Sequence, residues 1–521
     1  MASRRDELNA YTFAKKRTVA AFLQPSPTGS EEGAPRPLRT VLPGVVAGAV
    51  LVAAFGAWGV FKPVAPKGWD DVAGHVIVGS DSTTRYVVLK TDGKKQLHPV
   101  LNLASARLLL APGKGQVIKV RESELDNGHI PRGPTLGIPY APDRMPTATQ
   151  AGKPKQWAVC QQPGGNGKTT QKAVFLFAAG DPKAKRLSGS QRLSGAQALY
   201  VQGPDDARYL VDPKGTRYLI GGPDWQSQDT ADRNLLLRAL FHDGAQPQRV
   251  TKEWLGTLHE GTPLTFPTVN GTIGAPAGVT TLSARANRVG MILQAPTGTT
   301  TQHYVVLPGK VARVSEFVAK LLLSSRALAP LGQAGAPERV SAADFTPDAD
   351  EFHGRDHWPT RVPRLANTAD PAAPGDAHDT VCSLFGGLDA DGTPDLGVWA
   401  GTDYPATIPD GATSAYVTPG SGLLYRQVTG RQTHSGAVFL VTDTGLRYAV
   451  QSNGDSATDR SRIGDEPAPD ASSAGVPQAD QARTRLGYGD VAPVPVPANW
   501  SQFLPTGPRL DTNSAKQPQG S

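Results

Sequence analysis

"RYLVDPKGTRYLI", Arg208–Ile220, is an apolar strand, a turn built from Asp, Pro and Gly, and a second apolar strand. That pattern is a hairpin signature. It recurs three times: "RYVVLKTDGKKQLHPV" from Arg85, "HYVVLPGKVARV" from His303, and "VFLVTDTGLRYAV" from Val438. Each copy follows a further short strand and turn, namely "HVIVGSDS", "ALYVQGPDD", "MILQAPTG" and "AYVTPGSG". Three copies run on into an apolar helical stretch, "NLASARLLL", "DRNLLLRALF" and "SEFVAKLLL", and the fourth has the weaker "QARTRLGYG". A closing element also repeats: "WLGTLHEGTPL" from Trp254 and "WSQFLPTGPRL" from Trp500 share Trp, Leu, Gly and Leu in step. "DNGHIPRGPTL" matches them at Ile130, Gly133 and Leu136.

One such module cannot bury enough surface alone, so the copies need neighbours or a common core. Long insertions near 141–197 and 336–413 separate them, and each holds one of the two cysteines. The spacing predicts an α+β, mostly β chain with four hairpin-and-helix repeats around a central disulfide-linked domain. The repeats fall at 75–140, 198–270, 285–335 and 414–512, and the central domain at 141–197 and 336–413. Residues 513–521 read as a disordered tail. Cys160 in "WAVC" and Cys382 in "TVCSLF" both lie in short buried strands, where an even, minimal count suggests one disulfide.

The 57 Gly and 46 Pro of the 521 residues fit many turns, and 39% hydrophobic content excludes a multi-pass membrane protein. One uncharged run stands out, "VLPGVVAGAVLVAAFGAWGVF", Val41–Phe61. It is long enough to cross a hydrocarbon core of roughly 30 Å. The polar stretch before it is too long for the head of a cleaved signal, and Trp58 and Phe61 stand where a cleavage site needs small residues. The run therefore reads as an uncleaved single-pass anchor, residues 41–61, with a linker at 62–74.

Arg4, Arg5, Lys15, Lys16, Arg17, Arg36 and Arg39 place the 1–40 segment in the cytoplasm and the rest outside. Leu8, Tyr11, Thr18 and Phe22 share a helix face there, which suits either anionic lipid or a docked cytoplasmic partner. Gly44 and Gly48 give the anchor a small-xxx-small face for another helix.

"GGNGKT" raises the question of a nucleotide site. A phosphate loop needs Gly, four residues, then Gly-Lys-Ser/Thr at the start of a helix. Gly167, Lys168 and Thr169 supply the second half, but Gln162 stands where the first Gly belongs. "TTQKAVFLF" then reads as a strand, so a hairpin turn explains the glycines and the reading is no cofactor, with Mg-ATP as the alternative. Asp443, after "FLVT", holds the turn position of Asp92 and Asp212.

"EFHGRDHW" offers His353, Asp356 and His357 to a metal, yet Gly354 and Pro359 oppose the helix that would present both rings. "LDADGTPD" has Gly392 too soon after Asp389 and Asp391 for a calcium loop and reads as a turn. The net charge of +7 is spread thinly with no basic-aromatic stripe, which excludes a nucleic-acid binder.

The sequence resembles one family nearly end to end: EccB, the single-span component of actinobacterial type VII (ESX) secretion systems. The resemblance rests on "AYTF", "RPLR", "RYVVL", "LHPVLNLASARLLL", "RYLI", the two separated cysteines and "LPTGPRLD", of which "LHPVLNLASARLLL" is the most specific. It implies a scaffold subunit of the membrane secretion complex, beside EccC, EccD and EccE type subunits and copies of itself. The machine would export WXG100-type proteins. It implies also an affinity of the repeats for cell wall, and an ATPase label that some family members carry.

Overall fold

In the computed structural model, Asp212 Oδ1 accepts hydrogen bonds from Lys214 N at 2.9 Å and Thr216 N at 2.8 Å, and Gly215 takes φ +75°. A short carboxylate that ties down its own backbone, followed by a residue free to adopt positive φ, reverses the chain. Asp92 and Gly93 turn the first hairpin with φ 49° and 79°. The structure describes residues 3–23, 37–61, 65–164, 169–241, 243–367, 378–408, 414–450, 463 and 481–519.

Walking the chain, β1 (His75–Gly79), β2 (Arg85–Thr91), β3 (Lys94–Val100) and β4 (Gln116–Val120) form a first sheet. A hairpin of β5 (Gln156–Pro163) and β6 (Thr170–Phe177) comes next. The second sheet takes β7 (Gln197–Gln202), β8 (Arg208–Val211), β9 (Thr216–Leu219), β10 (Gln248–Arg249) and β11 (His259–Glu260). The third takes β12 (Ile292–Thr297), β13 (Thr300–Leu307), β14 (Lys310–Val314), β15 (Glu338–Arg339) and β16 (Pro347–Glu351). After β17 (Arg364–Leu365), which pairs with β7, come β18 (Thr380–Leu388), β19 (Pro394–Gly401) and β20 (Ala415–Val417). A last sheet holds β21 (Leu423–Val428), β22 (Val438–Val441), β23 (Arg447–Ala449) and β24 (Val494–Pro497).

Four sheets share one plan: an antiparallel three-strand meander, a helix, and a short strand returning parallel to the first. The helices are Leu103–Leu109, Thr230–Leu240, Glu316–Ser324 and Gln481–Arg485. Asn102 and Ser315 begin two of them by accepting from the N–H of Ser105 and Val318, the donors a helix start leaves open. The closing elements then lie parallel to the third meander strand, as β11 on β9, Leu136 beside Val100 and Leu510 beside Val450. Their shared Gly has a packing reason. A Cβ on Gly133, Gly261 or Gly507 would sit 2.2, 2.6 or 2.5 Å from the rings of His98, Tyr218 or Tyr448.

The fifth sheet has the order β19-β18-β5-β6-β20. Cys160 and Cys382 face each other in the β5–β18 register, Cα atoms 4.0 Å apart, and are bonded. One face of this sheet shares a core with the second and fourth sheets through Trp254 and Trp500, both fully buried. The first and fourth sheets share a second core, and the second and third a third one. The chain is thus a mixed α/β protein with many strands and one disulfide.

Three sequence expectations differ from this. Ala415–Val417, read as the first strand of the fourth repeat, pairs with β6 in the central sheet, and Leu423–Val428 takes its place. Residues 338–351, assigned to the central domain, close both edges of the third sheet as β15 and β16. The tail at 513–521 is held as far as it is described: Asp511 caps the helix Thr512–Ala515, and Gln519 N donates to Thr135 O at 2.8 Å.

Near the N-terminus, helices cover Arg4–Leu23 and Pro37–Phe61. The part of the second whose side chains are described, Val41 to Ala57, is shorter than the roughly 20 residues a bilayer core needs. Among the described residues no helix is long and apolar enough to cross a membrane.

In the first sheet the β1–β2 turn is pinned by Glu122, whose carboxylate accepts from Ser82 N at 2.8 Å and Asp81 N at 3.0 Å. These N–H groups, Ser82 first, hold its carboxyl at about 2, against an ordinary 4.5. A carboxylate with a depressed folded value stabilises above the unfolded value and stops doing so as pH falls through the folded one. Glu122→Gln is therefore expected to weaken the turn at neutral pH and to flatten its response between pH 4.5 and 2. Amide exchange at Asp81 and Ser82 measures this, and an unchanged pH profile would assign the pinning to other groups.

Candidate functional site

The glycine-rich stretch joins β5 to β6. The two strands pair up to Pro163 and Thr170, and Gly164 N donates to Thr169 O at 2.8 Å to close the turn. Gly167 and Lys168 lie outside the described residues, while Thr169 sits at the hairpin's mouth. Gln162 makes a cross-strand hydrogen bond to Gln171 Oε1 at 2.8 Å and accepts from Thr380 Oγ1 at 3.1 Å. From Thr170 the chain runs as a strand. The backbone donors and dipole that a helix N-terminus would aim at phosphates are therefore not supplied by β6.

A cleft of about 1000 Å³ opens between the second and third sheets. Tyr218 and Asp212 come from the second, His353, Asp356 and Trp358 from the loop after β16, and His259 from β11. Tyr218 Oη lies 3.2 Å from Asp212 Oδ2 and 3.0 Å from the His357 carbonyl oxygen. Burial, then the Asp212 charge, pushes the Tyr218 hydroxyl well above its ordinary value, so it keeps its proton.

His353 Nδ1 lies 2.5 Å from Asp356 Oδ2, and its ring stacks on Trp358 with centroids 5.3 Å apart. His353 and His357 adopt φ 59° and 51°, so no continuous helix presents them together. Among the described residues no group of three or more His, Cys, Asp or Glu side chains is placed to hold a metal ion. His259 Nε2 is 3.0 Å from Pro394 O, a contact to the β18–β19 hairpin. Tyr218 and His259 thus each join one segment to another, as does Trp358, whose Nε1 donates to Thr262 O at 3.2 Å, while His353 is held within its own loop. The cleft is built as a seam.

Asp389 Oδ1 accepts from Asp391 N at 3.0 Å and Thr393 N at 2.8 Å, which makes "LDADGTPD" a carboxylate-closed turn between β18 and β19. Asp443 Oδ2 accepts from Gly420 N at 2.9 Å, again in a turn. Nothing lies within 4 Å of a Cβ built on Gly44 or Gly48, so that helix face is open. Sequence reading missed Asn367, whose side chain bonds Tyr200 N at 2.9 Å and Tyr200 O at 3.0 Å and so extends β7 sideways. A lone Asn beside a loop carries no sequence signal for that task.

Known proteins share both the sequence pattern and the architecture. The family described as "Type VII secretion system ESX-1, transport TM domain B" matches residues 1–520. A Mycobacterium tuberculosis protein named "ESX-2 secretion system ATPase EccB2" is 30% identical over 329 residues, 62% of this chain and 59% of that one. The match thus spans less than two thirds of that relative. "ESX-3 secretion system ATPase EccB3" of the same species is 28% identical over 92% of this chain and 83% of its own.

Among solved structures, an EccB3 dimer from an ESX-3 core complex superposes with TM-score 0.57 at 24% identity, over 84% of this chain and 99% of that one. A chain of an intact ESX-5 inner membrane complex gives 0.56 at 21%, over 100% and 96%. At these identities the structures show a shared fold.

Proposed function

Because the chain belongs to the EccB family of type VII secretion components, we propose that it is a structural subunit of such a membrane complex. The helix Pro37–Phe61 anchors it once, residues before it face the cytoplasm, and the sheets stand outside as four copies of one unit around a disulfide-linked centre. What supports the anchor is the uncharged sequence run Val41–Phe61, which at about 1.5 Å per residue would match a hydrocarbon core of about 30 Å if helical throughout. Val45, Val50, Val52 and Phe55 on it are more than half exposed, so apolar surface is presented outward to lipid. The open face at Gly44 and Gly48 suits close approach of a partner helix.

EccC, EccD and EccE type subunits and other copies of the chain are its proposed partners. WXG100-type proteins are the proposed cargo, moved by a motor elsewhere in the complex. The observation that carries this reading is the family match along almost the whole chain. The relatives' names include "ATPase", but here the residues that would serve it, Gly167, Lys168 and Thr169, connect two antiparallel strands.

Two measurements on tagged, detergent-extracted protein test the proposal. The full chain is expected to co-purify with other membrane components of the secretion system, and a chain lacking residues 1–64 is expected to lose them. Calorimetric titration of Mg-ATP is expected to show no binding that Lys168→Ala removes. Binding abolished by that change would make the hairpin loop a nucleotide site.

A further inference from the structure

An open sheet edge is a template for pairing with another chain, and natural proteins blunt such edges by shortening, charge, proline or cover. The four strands that return after the helices show these devices unevenly. In the second sheet β10 is two residues long, and Gln248 on it reaches Asp379 O at 2.6 Å, under the central region. In the fourth, β24 carries Pro495 and Pro497 and packs against β18. In the third, β15 is the charged pair Glu338–Arg339, with Glu338 held by Arg285 at 3.2 Å. In the first, β4 is the five-residue "QVIKV", with no proline and three β-branched residues. It pairs with β1 along its length on one side, and no strand among the described residues pairs on the other.

Its side chains suit further pairing. Ile118 and Val120 point to the core that holds Ile77 and Val88. Val117, in register with Val76, lies on the opposite face and is 48% exposed, beyond the helix Leu103–Leu109 that packs with Val76.

We propose that β4 is a docking edge for β4 of a second copy of this chain, giving one sheet continuous across a two-fold axis. This deepens the self-association in the proposed function and rests on no other part of it. The sequence is self-complementary for that arrangement. A two-fold axis perpendicular to the sheet opposes residues of the same face. The register centred on Ile118 sets Ile118 against itself and Val117 against Lys119. No like charges stand opposite one another, and the two Val117 side chains come to diagonal positions on one face.

The test uses the full chain in detergent. Val117→Cys/Lys119→Cys is expected to give a covalent dimer under mild oxidation, while Val117→Cys or Lys119→Cys alone, each facing a residue without sulfur, gives little. The native cysteines do not interfere, because they are bonded to each other and buried. Val117→Lys opposes two lysines twice and is expected to weaken dimerisation in sedimentation runs about tenfold. Val117→Lys/Lys119→Glu is expected to restore it. A wild-type chain that stays monomeric, single variants that cross-link as well as the double, or a charge swap that rescues nothing would each overturn the pairing. Loss of the secretion partners with the dimer intact would count against the proposed function alone.

Discussion

Trp254→Ala is expected to destabilise the protein by about 3–5 kcal/mol, the range for truncating a large buried aromatic. The indole is fully buried and packs among Val201 and Val211 of the second sheet and Val159 and Val398 of the central one, so its loss opens a cavity at the junction of two sheets. Its Nε1 also donates to Val159 O at 3.0 Å. Trp500 holds the corresponding place between the fourth sheet and the centre, 5.3 Å from the Phe385 ring, but its buried Nε1 has no hydrogen-bond partner among the described residues. Substitution by Phe separates the two contributions. Trp254→Phe gives up a hydrogen bond worth about 0.5–1.5 kcal/mol as well as contact area, whereas Trp500→Phe relieves an unpaired donor. Urea unfolding of the two Phe variants should rank Trp254→Phe as the costlier, and equal costs would mean that the Val159 contact contributes nothing net.

That Trp pair shows what is legible in the sequence. The closing elements and hairpins are readable because their determinants are local: an Asp that bonds its own turn, a Gly forced by a neighbouring ring, alternating apolar residues. Where pairing is decided at a distance, the reading fails. "AYV" is a short apolar run that reads the same in any sheet, and its parallel pairing with β6 depends on residues more than two hundred positions earlier. "LLYRQV", the true first strand of the last sheet, is disguised by Arg426 and Gln427. β15 and β16, "ER" and "PDADE", have no apolar pattern at all and are strands only because the third sheet offers its edges. The polar tail looks disordered because its anchors are a cap, the buried Thr512 and Ala515 of one short helix, and backbone pairing to the distant Thr135, none of which shows as an apolar pattern.

The cleft is illegible for a related reason. Tyr218 and His357 are distant in sequence, and nothing in either stretch announces that a hydroxyl from one meets a carbonyl of the other. The histidines attract a metal reading in sequence, and what the structure shows is that both lie in left-handed conformations rather than side by side on one helix face.

Removing the disulfide by Cys160→Ala/Cys382→Ala is expected to lower stability by about 5 kcal/mol while leaving the fold intact. The link joins positions 222 residues apart, and in the chain-entropy treatment the stabilisation grows with the logarithm of the loop it closes in the unfolded state. The native state needs the bond less. Cys160 and Cys382 are directly opposed in a ladder that runs from Val381–Gln161 to Phe385–Trp157, and both sulfurs lie in a core with Phe175, Phe177 and Trp399. The strands therefore stay paired without it. Ala is the right substitution because Ser would place a hydroxyl in that apolar core and add a desolvation cost of its own, about 1–3 kcal/mol per unpaired group. The entropic account predicts that refolding slows more than unfolding quickens, since the bond acts mainly by keeping the two halves of the unfolded chain near each other. Stopped-flow unfolding and refolding of the Ala pair decides the matter. A loss carried chiefly by faster unfolding would show that the bond holds the native centre together, and that β5 and β18 do not pair well enough by hydrogen bonds and packing alone.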